Sequence, residues 1–112
     1  MKRIFLTGAS AGIGLATAKI LLARGHEVWG TSREVSRLPQ LSGMHTVALD
    51  LNDMASVRES FGRALNDAGY FDVLINNAGS GHFGPAEFLS ADAVRAQFQT
   101  VVFAHIELCR LA

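Results

Sequence analysis

The sequence predicts an α/β fold, a doubly wound parallel sheet with strand order 3-2-1-4. Three observations carry this. Short apolar runs alternate with segments of helical periodicity four times along 112 residues. Three glycines, Gly8, Gly12 and Gly14, stand where the first strand turns into the first helix. Crossovers between parallel strands are right-handed, which with that loop sets the order of the strands. The length allows one domain, residues 1–112.

Strand one is predicted over Arg3 to Thr7, around the apolar run Ile4-Phe5-Leu6. Helix one runs from Gly12 to Arg24, with Ile13, Ala16, Ile20 and Ala23 at helical spacing, and Gly25 as its left-handed stop. Strand two is Glu27 to Thr31. Residues Glu34 to Gly43 include Pro39 and read as a helical turn plus loop. Strand three is Thr46 to Leu49, ending at Asp50. Asp53 is a suitable N-cap for a helix whose apolar face is Val57, Phe61, Ala64, Leu65 and Ala68, with Gly69 as its end. Strand four is Phe71 to Ile75 and runs into Asn76-Asn77-Ala78-Gly79. A loop with Gly81, Gly84 and Pro85 comes next, then a last helix from Ser90 or Ala91 to the end.

In such a fold ligands bind beyond the carboxyl ends of the strands. Four strand ends therefore matter. At the first, glycines leave backbone N–H groups of a helix start open to an anion such as a phosphate. At the second, Thr31-Ser32-Arg33 carries no acid where a free ribose 2′-hydroxyl is usually bound. A guanidinium there suits a phosphate through paired, charge-assisted hydrogen bonds. The alternative is a solvated loop charge. At the third, Asp50 is either a turn residue or an acceptor for an adenine amino group. At the fourth, Asn76 and Asn77 can tie neighbouring loops together, and Ala78 and Gly79 leave room for a ligand against backbone.

Thr7-Gly8-x-x-x-Gly12-x-Gly14, Asp50 and Asn76-Asn77-Ala78-Gly79 together resemble the short-chain dehydrogenase/reductase family over the whole chain. The resemblance implies a Rossmann-like fold and a nicotinamide dinucleotide, with NADP favoured over NAD by Arg33. It implies that Gly8, Ser10, Ala11, Gly12, Ile13 and Gly14 contact the pyrophosphate and adenosine side. Ser10, Ser32 and Arg33 would flank a 2′-phosphate, Asp50 and Leu51 would hold adenine, and Asn77, Ala78 and Gly79 would line the ribose. Gly81 to Leu89 would approach the substrate mouth, where the family transfers a hydride between cofactor and a carbonyl or alcohol. The family's catalytic Ser and Tyr-x-x-x-Lys lie on later elements than Ala112, so no catalytic residue is assigned and this chain is expected to be inactive alone. Its only tyrosine, Tyr70, and its lysines, Lys2 and Lys19, lack that spacing. The family's Asn in the last helix aligns with Val101, which has no amide. The alternative to a cofactor-binding half of an oxidoreductase is a non-catalytic dinucleotide-binding or protein-interaction module.

Composition narrows the remaining classes. Formal charge is zero and both signs are interspersed, which argues against a nucleic-acid partner. The single Cys109 excludes an internal disulfide and fits a cytoplasmic location. Four scattered histidines give no metal-ligand spacing, so no metal is expected. No run approaches a membrane span. The last helix shows one apolar stripe, Val94, Phe98, Val101 and Leu108, and a second apolar side at Val102, Phe103 and Ile106. Together with an unpaired edge on strand four, this predicts a homo-oligomer.

Overall fold

The computed structural model describes residues 1–81 and 84–112, and its four parallel strands are ordered β3-β2-β1-β4. They are β1 (Arg3–Leu6), β2 (Glu27–Ser32), β3 (Met44–Ala48) and β4 (Val73–Ile75). The predicted doubly wound topology is therefore the one observed. Phe5 pairs with Trp29 on one side and Leu74 on the other. Because side chains alternate across a strand, Phe5 and Trp29 enter one core and Leu6 and Val28 the other.

Helix α1 (Gly12–Ala23) covers the Leu6–Val28 face, but not through the stripe that the periodicity picks out. Ile13 is 79% exposed and Ile20 55%, and Ala16 and Ala23 also face solvent. The buried positions are Gly14 and Ala18, flanked by the partly buried Leu21 and Leu22. Apolar residues surround most of this helix, so hydrophobicity alone does not select a face. Size does, because only the small residues let the helix axis approach the sheet. Gly25 comes next with φ +83° and ends the helix as expected.

The opposite face is covered by α2 (Met54–Ala68), capped by Asp53, whose Oδ1 accepts from the Ala55 N–H at 3.0 Å. Its predicted face is buried at Val57, Phe61, Ala64 and Ala68, with Leu65 partly so. Gly69 ends it with φ +84°. β3 begins at Met44, two residues before its predicted start. β4 loses Phe71 and Asp72, because Phe71 turns inward onto Phe5, Trp29 and Phe61 at ring separations of 5.3, 5.3 and 5.6 Å.

The predicted last helix is interrupted. α3 (Ala91–Phe98), capped by the Ser90 hydroxyl, leads into a π turn (Gln99–Phe103) and then α4 (Ala104–Leu111). A π turn adds a residue and rotates the later side chains about the helix axis relative to the earlier ones. The single stripe from Val94 to Leu108 is therefore broken, and of its four members only Leu108 is buried. Ala104, Glu107 and Leu108 face α2, while Phe98, Phe103 and Ile106 are exposed. Among the described residues, no helix is long and apolar enough to cross a membrane.

Glu107 fastens α4 to α2. Its carboxylate accepts from Arg58 Nε at 3.3 Å and from Arg110 Nε at 3.1 Å. Those hydrogen bonds, Arg110 first, hold the carboxyl down at about 2 against an ordinary value of 4.5. A depressed carboxylate contributes stability above its unfolded value and loses it on acidification through its folded one. Stability should therefore fall between pH 4.5 and about 2, and Glu107→Gln should flatten that fall. Thermal unfolding of both proteins across this range tests it; parallel curves would contradict it.

Candidate functional site

Beyond the carboxyl ends of the strands lies an open cleft of about 490 Å³. Its floor is organised by Thr7, which is fully buried at the end of β1. The Thr7 hydroxyl accepts from the N–H groups of Asn77 and Ala78, both at 3.0 Å. In return the Asn77 amide donates to the Thr7 and Gly8 carbonyls, each at 3.1 Å. The loops after β1 and β4 are thus one hydrogen-bonded unit. They meet where the chain changes direction across the sheet, between β1 and β4. Asn76 takes no part: its amide donates to Cys109 Sγ at 3.3 Å.

The glycines have separate reasons. Gly8 has φ +72°, and a Cβ there would stand 2.9 Å from Ala78 Cα. A Cβ on Gly14 would overlap the Gly8 carbonyl oxygen and come within 2.6 Å of Asn77 Nδ2. Gly12 has φ +58° and open space around it. Ala11, the N-cap of α1, has no side-chain oxygen, and no acid stands in the first turn. The leading N–H groups of α1 are therefore not capped by a side chain.

Ten of the thirteen residues singled out from the sequence line the cleft: Gly8, Ser10, Ala11, Ser32, Arg33, Asp50, Leu51, Asn77, Ala78 and Gly79. Gly12, Ile13 and Gly14 do not. Gly14 is buried beneath the turn and the Ile13 side chain points to solvent. Asp50 does two things. Its Oδ1 accepts from the Asn52 N–H at 2.9 Å, as a turn residue does, and it also lines the cleft. Among the described residues Arg33 has no ion-pair partner; the nearby Glu34 pairs with Arg37 at 3.3 Å.

Sequence reasoning missed Thr31, Arg37, Leu49, Asn52, Ser80, Ala96 and Thr100 on the cleft wall. Thr31 has a local role, since its hydroxyl accepts from the Gly8 N–H at 3.2 Å. Arg37 was legible as a second cation just past Arg33. Ala96 and Thr100 carry no local signal, because their place depends on α3 folding back over the strand ends. Of Gly81 to Leu89, expected near a substrate mouth, His82 and Phe83 lie outside the described residues, and the rest do not line this cleft. Val101 lies in the π turn; a Cβ on Gly79 would be 3.7 Å from its Cγ2. His105, one turn on, is held below its ordinary value by burial. A separate hollow of about 270 Å³ lies between β3 and α2, walled by Trp29, His45 and Asp67. It contains none of the predicted residues.

The model of the family described as short chain dehydrogenase matches residues 2–112. The chain belongs to this family. It is 36% identical over 107 residues to the 3-ketodihydrosphingosine reductase of Bacteroides thetaiotaomicron, covering 96% of this chain and 39% of that protein. A metagenomic short-chain oxidoreductase in complex with NADP superposes with a TM-score of 0.92 at 30% identity, over 97% of this chain and 53% of that one. The 3-ketoacyl-(acyl-carrier-protein) reductase of Brucella melitensis, complexed with NADH, gives a TM-score of 0.90 at 27% identity, over 98% and 48%. The chain thus spans two-fifths to half of the length of these oxidoreductases, in the portion that carries the glycine turn and the Asn77 loop.

Proposed function

We propose that the cleft holds a nicotinamide dinucleotide, NADP in preference to NAD, and that the chain is the cofactor-binding part, residues 1–112, of a short-chain oxidoreductase. The observation that carries this is the composition of the cleft wall. The backbone at Gly8, Ser10 and Ala11, with the uncapped N–H groups of α1 starting just behind it, suits a pyrophosphate. Ser32 and Arg33 close the end of β2 with no acid at Thr31 or Ser32. Asp50 and Leu51 suit an adenine, and Asn77, Ala78 and Gly79 a ribose. Nucleotide-bound relatives support a dinucleotide in general, since NADH and NADP both occur among them. The preference for NADP rests on Arg33.

When bound, the cofactor supplies or accepts a hydride. This chain's residues bind and orient it: Thr7 and Asn77 hold two walls at fixed spacing, and Arg33 marks one end. A second reading, a module that binds a dinucleotide without catalysis, is favoured by Val101, whose side chain offers no polar atom beside Gly79.

The cofactor preference is tested with Arg33→Ala. The side chain is exposed, so its contact belongs at the low end for a charged hydrogen bond, about 1.5 kcal/mol. NADP should weaken by about that amount and NAD should not change. Calorimetric titration of both proteins with both dinucleotides measures it. Equal affinities in the unaltered protein, or tighter NAD, would overturn the preference.

A further inference from the structure

We propose that Gln99 is a positioning residue of the cleft: its amide latches a weakly anchored helical wall, α3, onto the loop after β3 and so holds the spacing of the adenine end. This rests on the reading that the cleft holds a dinucleotide. Ala96 and Thr100 bring α3 and the π turn to the cleft, which Asp50 and Leu51 also line. Behind this wall lies another hollow of about 630 Å³, lined by Val94, Phe98, Gln99 and Phe103. α3 therefore has space on both sides. No residue of α3 or of the π turn is buried. α4, by contrast, buries Ala104 and Leu108 in the core with α2 and is fastened there by Glu107.

One hydrogen bond ties this wall down. Gln99 Nε2 donates to the Leu51 carbonyl at 3.2 Å. Among the described residues it is the one hydrogen bond from α3 or the π turn to the sheet, to α2 or to the strand-end loops. Gln99 opens the π turn, so the latch sits at the junction between the loosely held helix and the anchored one. A segment with few buried contacts opens more readily than the core. Without the latch, a ligand entering the cleft has to order the wall as it binds, and that cost lowers its affinity. Thr100 cannot take over the donor's role. Its hydroxyl donates to the Ala96 and Gln97 carbonyls of its own helix, at 3.0 and 3.3 Å.

The test uses the whole chain and its Gln99→Met and Gln99→Ala variants. Gln99→Met keeps the length and helix propensity of the side chain and removes the donor. In calorimetric titration, NADP and 5′-AMP should both weaken about threefold to tenfold in either variant, the worth of one neutral hydrogen bond. The factor should be the same for the two ligands, because the latch acts on the adenosine half that they share. Amide hydrogen exchange should quicken in α3 and stay unchanged in β1, β2 and α2, which a general loss of stability would not allow. Unchanged NADP affinity in both variants overturns the inference and leaves the dinucleotide reading standing. So do a loss for NADP without one for 5′-AMP, no binding of 5′-AMP to the unaltered chain, and faster exchange throughout the sheet. No binding of NADP to the unaltered chain overturns both.

Discussion

Gly14→Ala should destabilise the protein by more than about 3 kcal/mol, a large part of the roughly 5–15 kcal/mol of a typical domain. The added Cβ would overlap the backbone carbonyl of Gly8 and press on Asn77 Nδ2 at 2.6 Å. Neither is the free end of a flexible chain. Gly8 is fixed by its N–H to Thr31, and the Asn77 amide by two carbonyls. Relief therefore requires α1 to lift from the sheet, which opens the core at Ala18, Leu6 and Val28. Gly12→Ala is the control: its Cβ meets nothing, and only its φ of +58° opposes the change. That strain is about 1 kcal/mol. Urea unfolding of both variants and the unaltered protein should show Gly14→Ala the least stable and Gly12→Ala between. Equal losses for the two variants would mean that helix approach is not what Gly14 provides.

The second large effect is expected at Thr7. Thr7→Val keeps the shape and removes the oxygen that accepts the Asn77 and Ala78 N–H groups. Thr7 itself is fully buried, so two partly buried donors lose the oxygen they point at. Each such group costs about 1–3 kcal/mol, so the two together cost about 2–6 kcal/mol. Thr7→Ser keeps the hydroxyl and should recover most of it. Denaturation curves for the three proteins decide. Thr7→Val as stable as Thr7→Ser would contradict the role given to the hydroxyl.

These two residues show how much was legible in the sequence. The glycine spacing, the strand ends and the alternation of elements are local patterns, and they located the fold, its order and ten cleft residues. Asp53 and Gly69 marked helix ends for reasons confined to one turn of backbone. The failures involve choices made in three dimensions. The α1 periodicity indicated Ile13 and Ile20, but steric approach at Gly14 and Ala18 decided the buried face. The π turn at Gln99–Phe103 has no signature in composition, yet it moved every later side chain to a new face of the helix. Arg37 was visible as a charge, but its place on the cleft wall depends on the turn after β2.

The central claim is that a dinucleotide binds at the carboxyl ends of the strands. Backbone amide NMR of the isotopically labelled chain, recorded as NADP is added, tests it most directly. The account predicts the largest shifts at Gly12 to Gly14, Ser32 to Arg37, Asp50 to Leu51 and Asn77 to Gly79, with little change at His45 and Asp67 by the other hollow. Shifts centred on that hollow, or none at saturating NADP, would contradict it.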